Sequence, residues 1–134
     1  MPKAETAALP LAAVYNVAVV GCGVIGHRLA DAFEDHEETT VYAACDLVES
    51  KAESFAEEYD SAAYTDYETM IADETVDIVY VGVPPKVHRE VVEAAVDAEK
   101  AVICEKPIAE DATVGTELVA LEEATDRPTA INLP

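Results

Sequence analysis

The feature that most constrains the fold is a glycine-rich turn that directly follows a short apolar run. Residues 17–20 are apolar, and they lead into the pattern G-x-G-x-x-G formed by Gly21, Gly23 and Gly26. In such a pattern the first glycine permits a sharp turn, the second lets a pyrophosphate approach the backbone, and the third lets a helix pack tightly on its strand. The amides at the helix start also favour an anion. The pattern therefore predicts a dinucleotide site, and the alternative is a glycine turn that binds nothing.

The residues around the glycines support the first interpretation. Ile25, Leu29 and Phe33 recur at helical spacing, as expected for the apolar face of an amphipathic helix. A second apolar run, residues 41–45, ends at Asp46, which lies about twenty residues beyond Gly26. A carboxylate at that point can hold both hydroxyls of an adenosine ribose. Strand, turn, helix, strand and acid thus occur in the order that dinucleotide binding requires.

Short strands and helices alternate along the rest of the chain. This alternation predicts an α/β fold with a doubly wound, mostly parallel sheet of the Rossmann type and helices on both faces, making three layers. The predicted strands span about 15–20, 40–45, 61–65, 77–81, 101–104 and 129–133, and the predicted helices about 24–35, 47–59, 67–72, from 85 onward and 111–125. Residues 1–13 are predicted to be an N-terminal extension, 14–128 the folded domain, and 129–134 the start of a strand that leads to a further domain.

The acidic composition limits the environment and the partners. Asp and Glu number 28 against 8 Lys and Arg, which gives a net charge of −20 over 134 residues. Such a surface repels nucleic acid and anionic membranes, so neither is an expected partner. Because salt screens the self-repulsion of a charged surface, the simplest interpretation is a protein of a high-salt cytoplasm; the alternative is an ordinary acidic protein.

The cysteines are expected to pack in the core and to have no redox or metal-binding role. Cys22, Cys45 and Cys104 are odd in number and show neither metal-ligand nor C-x-x-C spacing. Each lies at or just beyond the end of a predicted strand, where a small apolar side chain fits. Three unpaired thiols are consistent with a reducing cytoplasm.

Two later segments carry a family resemblance. Residues 81–88 read Val-Gly-Val-Pro-Pro-Lys-Val-His, and residues 102–109 read Val-Ile-Cys-Glu-Lys-Pro-Ile-Ala. Together with the glycine pattern, they resemble the glucose–fructose oxidoreductase / inositol dehydrogenase / MocA family, over about residues 17–123. That family opens with a Rossmann domain, so the resemblance implies an NAD(P)-dependent oxidoreductase that transfers hydride between nicotinamide and a sugar-like or polyol-like hydroxyl compound.

The resemblance also implies a role for each matching residue. The glycines, with the backbone of Cys22, Val24 and Ile25, would hold the pyrophosphate, and Asp46 the adenosine ribose. The residues expected along the nicotinamide half are Val83, Pro84, Pro85, Glu105 and Lys106, with His88 behind the prolines. Lys106 is the catalytic lysine of this pattern, since an ammonium there can donate to a developing alkoxide; the alternative is a surface lysine paired with Glu105. For His88 the alternative is a histidine packed in the core. No metal site is expected.

One departure from the family pattern bears on activity. Members of the family continue into a second α/β domain that carries the substrate pocket, and this domain is absent from the sequence. The chain is therefore expected to turn over little or nothing by itself, and to be a fragment, a truncated product or a stand-alone nucleotide-binding or interaction module. Loss of burial against the second domain would favour homo-oligomers.

The cofactor prediction is NAD, because a carboxylate at Asp46 would repel a 2′-phosphate. NADP is the alternative, since Lys51 lies one helical turn further on. A methyltransferase that uses S-adenosylmethionine is the third hypothesis; its glycine loop and ribose acid are similar, but the tripeptide Glu105-Lys106-Pro107 has no role in it.

Overall fold

The computed structural model describes residues 14–105 and 129–132 of the chain. The predicted extension, Lys106, and the predicted helix at 111–125 lie outside these residues. In chain order the strands are β1 (Tyr15–Val20), β2 (Thr39–Cys45), β3 (Ala62–Tyr64), β4 (Ile78–Val81), β5 (Ala101–Glu105) and β6 (Thr129–Asn132). The helices are α1 (Val24–Asp35), α2 (Glu49–Tyr59), α3 (Tyr67–Ile71) and α4 (Pro85–Asp97).

The six strands form one parallel sheet in the order β3-β2-β1-β4-β5-β6. The order reverses between β1 and β4, which are neighbours although β2 and β3 come between them in the chain. In open α/β sheets, ligands bind at such a reversal, outside the carboxyl ends of the strands. The doubly wound Rossmann fold predicted from the sequence is therefore confirmed.

Helices cover both faces of the sheet, which confirms the three layers. On one face the side chains of β1 and β4 pack against α3 and α4, with Met70, Val91 and Ala95 buried in that cluster. On the other face Ala30 of α1 and Phe55 of α2 pack against the sheet. Because both faces are covered, the central strands are apolar over residues 17–20 and 78–81, as expected of buried parallel strands.

Local signals set the ends of the helices. Asp66 caps α3, accepting hydrogen bonds from the Glu68 amide at 3.0 Å and the Thr69 hydroxyl at 2.7 Å, as predicted. Pro85 begins α4, where its missing amide costs nothing. No helix in the described part of the chain is long and apolar enough to cross a lipid bilayer.

The start of α2 differs from the sequence prediction. The helix begins at Glu49 and not at residue 47. The Asp46 carboxylate accepts a hydrogen bond from the Val48 amide at 2.9 Å, which keeps Leu47 and Val48 in an extended loop. Leu47 is 90% exposed as a result.

Candidate functional site

A cleft of about 490 Å³ opens at the carboxyl ends of β1, β2 and β4, beside the reversal of the strand order. Three loops supply its walls: the glycine loop after β1, the loop after β2 and the turn after β4. The lining residues are Val20, Gly21, Cys22, Gly23, Cys45, Asp46, Leu47, Val48, Lys51, Tyr67, Gly82, Val83, Pro84, Val87 and Val91.

The glycine loop is shaped by close backbone packing. Gly21 has φ +105°, and a Cβ there would lie 2.7 Å from the carbonyl oxygen of Gly82. A Cβ on Gly26 would overlap the carbonyl oxygen of Gly21. Both positions therefore require glycine, one for the turn and one for helix packing, as the sequence predicts. Gly23 differs, because nothing lies within 4 Å of its absent Cβ. Space is left open above the loop at the position assigned to the pyrophosphate.

The first turn of α1 faces this open space. Gly23 is the N-cap, no side chain caps the helix, and no acidic residue lies in its first turn. The first amides of a helix lack intrahelical partners, and the helix dipole places partial positive charge there. In this acidic chain the loop is thus a favourable position for an anion.

Asp46 connects two walls of the cleft. Its Oδ2 accepts a hydrogen bond from the Cys22 amide at 3.0 Å, and its Oδ1 accepts one from the Val48 amide at 2.9 Å. A carboxylate has about four lone-pair positions, so acceptor capacity remains for ribose hydroxyls. Beyond the role predicted from sequence, the carboxylate holds the glycine loop against the loop after β2.

The turn after β4 forms the opposite wall. Gly82 donates to the Val20 carbonyl at 2.8 Å, which fixes the turn against β1. Val83 and Pro84 line the cleft, and Pro85 begins α4. These are the positions predicted for the nicotinamide half.

His88 lies behind this wall. Its side chain is 1% exposed, and among the described residues it is not part of the cleft lining. Its Nε2 lies 2.6 Å from the Val83 carbonyl oxygen and its Nδ1 lies 3.4 Å from Cys104 Sγ. Of the two roles left open by the sequence, the structure places the ring in the core, one residue layer from the cleft.

Glu105 ends β5, and its carboxylate accepts a hydrogen bond from the Tyr80 hydroxyl. Burial and this bond raise the pKa of Tyr80, so the phenol keeps its proton to donate. The partnership was missed at the sequence level. Tyr80 pairs with Ile103 in register, and Glu105 is the next residue of β5 on the same face. The sequence shows the shared face but not this register, so it carries no signal for the pair.

The three cysteines are buried, as predicted. Burial, with the Asp46 carboxylate as a smaller cause, raises the pKa of Cys22 to about 12 and that of Cys45 to about 11. Thiols with such values stay protonated near neutrality and are poor nucleophiles. Among residues 14–105 and 129–132, no group of histidines, cysteines and acids could hold a metal ion.

Comparison with known proteins identifies the family. The sequence profile of an oxidoreductase family with an NAD-binding Rossmann fold, the glucose–fructose oxidoreductase / inositol dehydrogenase / MocA family, matches residues 15–133. The chain belongs to this family.

Relatives within the family include sugar and polyol enzymes. A dTDP-3,4-didehydro-2,6-dideoxy-alpha-D-glucose 3-reductase of Saccharopolyspora spinosa is 34% identical over 107 residues, which are 79% of this chain and 32% of that protein. An inositol 2-dehydrogenase of Salmonella typhimurium is 36% identical over 97 residues, 68% of this chain and 28% of that enzyme. This chain thus spans about a third of the length of the curated relatives it matches.

Solved structures agree with the family assignment. A 3-ketoreductase from Actinomadura kijaniata, crystallised with NADP, superimposes with a TM-score of 0.83 at 28% identity, covering 89% of this chain and 38% of that one. The family consists of oxidoreductases, so the methyltransferase hypothesis finds no support.

Proposed function

We propose that this chain is the NAD(P)-binding domain of an oxidoreductase that transfers hydride between nicotinamide and a hydroxyl group of a sugar or polyol. The observation that carries the proposal is the cleft itself. Across the sheet it joins a carboxylate at Asp46 after β2, an anion-favouring helix start at Gly23 after β1 and an apolar wall at Val83 after β4, in that order. Relatives that act on inositol and on a dTDP-linked sugar support the substrate class.

The residues present fit a dinucleotide. The missing Cβ of Gly23 leaves room for a pyrophosphate above the loop. Leu47 and Val48, 90% and 48% exposed, line the cleft beside Asp46 and offer apolar surface to an adenine ring. On the other side of β1, Val83 and Pro84 provide a surface for the nicotinamide. The bound nicotinamide supplies the hydride acceptor or donor; the chain supplies position and proton transfer.

We assign NAD as the preferred form. Asp46 faces the cleft where a 2′-phosphate would lie, and like charges repel. Lys51 also lines the cleft, and it is the cation that would allow NADP as the alternative. Because the related 3-ketoreductase was crystallised with NADP, binding of both NADH and NADPH has to be measured.

Lys106 is the residue to which we assign proton transfer. It lies outside the described residues, directly after Glu105 at the carboxyl end of β5. β5 pairs with β4 in the sheet, so its carboxyl end lies beside the end of β4, which Val83 and Pro84 follow. A lysine ammonium there can donate to a developing alkoxide and return the proton on reversal.

The alternative is a stand-alone nucleotide-binding or interaction module without catalysis. The features of the cleft that favour a nucleotide, the glycine loop and Asp46, would serve such a module equally. We further propose a cytoplasmic location in high salt, supported by the net charge of −20, and self-association of the chain.

A turnover assay, together with the coding sequence beyond Pro134, separates the two candidates. The chain is incubated with NAD⁺ and a panel of polyols and sugars, and NADH is followed by its absorbance, with Lys106→Met as the matched variant. Turnover that is lost in Lys106→Met, with NADH binding retained, supports the oxidoreductase. Saturable NADH binding without turnover is expected of both candidates, because the substrate pocket of the family lies in a second domain. In that case a coding sequence that continues past Pro134 into such a domain supports the oxidoreductase, and one that does not supports the module. Turnover that survives in Lys106→Met contradicts the role of the lysine.

A further inference from the structure

A buried imidazole connects the ends of the two strands beside the nicotinamide wall of the cleft. His88, in the first turns of α4, is 1% exposed. One ring nitrogen faces the carbonyl of Val83, which follows β4, at 2.6 Å; the other faces the thiol of Cys104, in β5, at 3.4 Å. Cys104 comes just before Glu105 and Lys106. The ring therefore spans from the wall of the cleft to the segment that carries the proposed proton donor.

The partners determine which nitrogen carries the proton. A backbone carbonyl only accepts hydrogen bonds, so Nε2 donates to Val83. In the neutral ring Nδ1 then bears a lone pair that can accept from the Cys104 thiol at 3.4 Å, and the same thiol also lies 3.5 Å from the Glu105 carbonyl oxygen. Burial raises the pKa of that thiol to about 12, so its proton is available for donation. The contact with the Val83 carbonyl thus favours the tautomer with the proton on Nε2.

In the turn after β4, a side chain and not the backbone holds the carbonyl of Val83. The two ends of the turn are held by backbone bonds, from Gly82 to the Val20 carbonyl at 2.8 Å and from Val87 to the Pro84 carbonyl at 3.0 Å. Pro84 has no amide of its own. The Val83 carbonyl, between these two bonds, is held by the His88 side chain instead of by a ladder or helix bond.

We propose that His88 is a positioning residue, which fixes the Val83–Pro84 wall relative to the end of β5 and so sets the geometry of the nicotinamide half of the site. It acts through the Val83 carbonyl and the Cys104 thiol, and it does not contact the cofactor. This inference rests on the proposed function. Because the glycine loop follows β1 and Asp46 follows β2, whereas Val83 follows β4, we expect the adenosine half to depend much less on His88.

The test compares two ligands that differ only in the nicotinamide half. NADH and ADP-ribose share adenosine and pyrophosphate, but ADP-ribose lacks the nicotinamide ring. In His88→Leu we expect NADH to bind about ten-fold more weakly than in the wild type, with ADP-ribose changed by less than about two-fold. His88→Gln, whose amide nitrogen can still donate to Val83, recovers most of the NADH affinity. An equal loss for both ligands, or no loss for either, overturns the proposal.

Two further measurements keep the result decisive. If His88→Leu fails to fold, Cys104→Ala removes only the Nδ1 partner and is expected to weaken NADH binding more than ADP-ribose binding. Ring ¹⁵N shifts of His88 in the wild-type chain should show the Nε2–H tautomer, and the Nδ1–H tautomer would overturn the proposal without any ligand. A wild-type chain that binds neither ligand refutes the proposed function, whereas wild-type binding with unselective His88 variants refutes only this inference.

Discussion

The Asp46 carboxylate accepts a hydrogen bond from the backbone amide of Cys22 at 3.0 Å, across the gap between the ends of β2 and β1. The residue expected to read the ribose thus also supports the loop expected to bind the pyrophosphate. Its other oxygen holds the Val48 amide, so one side chain sets the positions of two walls.

This double role predicts a large effect of Asp46→Ala. Hydrogen bonds to a charged group contribute about 1.5–3 kcal/mol, so NADH affinity should fall by at least about ten-fold. NADPH affinity should fall less, because the same change removes a charge that repels the 2′-phosphate. Fluorescence titration measures both. Glu53→Gln removes one negative charge from the exposed side of α2 and is the control. Equal changes of NADH affinity in the two variants would show that Asp46 acts only through the net charge of the chain.

Two glycine-to-alanine changes should have opposite consequences. At Gly26 the new methyl group overlaps the Gly21 carbonyl, and such overpacking costs about 1–3 kcal/mol of the free energy of unfolding. At Gly23 the methyl group meets nothing, and the backbone is extended, so stability should stay within about 0.5 kcal/mol. NADH binding should nevertheless be lost in Gly23→Ala, because the methyl group occupies the space assigned to the pyrophosphate.

Chemical denaturation and NADH titration of both variants test this prediction. Gly23→Ala with unchanged NADH binding would show that the pyrophosphate does not approach the loop. An unaltered unfolding midpoint in Gly26→Ala would show that α1 packs less closely on the loop than the structure has it.

The buried thiols should make the fold sensitive to alkaline pH. The pKa of Cys45 is raised from 9.0 to about 11, mainly by burial. Above pH 9 the unfolded chain therefore releases a thiol proton that the folded chain keeps, and the free energy of unfolding falls as the pH rises from about 9 to 11. Denaturant titrations across this range should show a shallower fall for Cys45→Ala than for the wild type. Identical slopes would contradict the burial of this thiol.

Salt should stabilise the folded chain. The net charge of −20 repels itself in the compact state, and raising the ionic strength shortens the screening length from about 10 Å at 0.1 M to about 3 Å at 1 M. We expect the thermal midpoint to rise by about 10 °C or more between 0.1 and 2 M KCl. Near the sequence pI of 4.1 the increase should shrink, because the carboxylates are partly neutralised. A thermal midpoint that does not change with the KCl concentration at neutral pH would contradict the high-salt interpretation.

Local sequence signals were sufficient for the fold. The apolar runs before Gly21 and Gly82, the cap at Asp66 and the proline at the start of α4 each act within a few residues, and the structure confirms the elements they predict. The strand order follows from the family pattern, since parallel strands with helical crossovers have few arrangements.

Side-chain contacts between residues far apart in the chain could not be predicted from the sequence. The contacts of Asp46 with Cys22 and of Tyr80 with Glu105 join residues 24 and 25 positions apart. Periodicity shows which face a side chain occupies, but it does not show which neighbour it bonds. For the same reason, the sequence left His88 between the core and the cofactor, and only the burial of its ring places it behind the Val83 wall. The role of Lys106 stays a prediction.

The proposed function depends on binding of a nicotinamide dinucleotide in the cleft between Asp46 and Val83. Titration of the chain with NADH and with NADPH in molar KCl, followed by nicotinamide fluorescence, measures this binding. We expect saturable binding of both, tighter for NADH, and loss of NADH binding in Gly23→Ala. Binding of neither cofactor by a chain that circular dichroism shows to be folded would contradict the proposed function, and a preference for NADPH would overturn the role given to the Asp46 carboxylate.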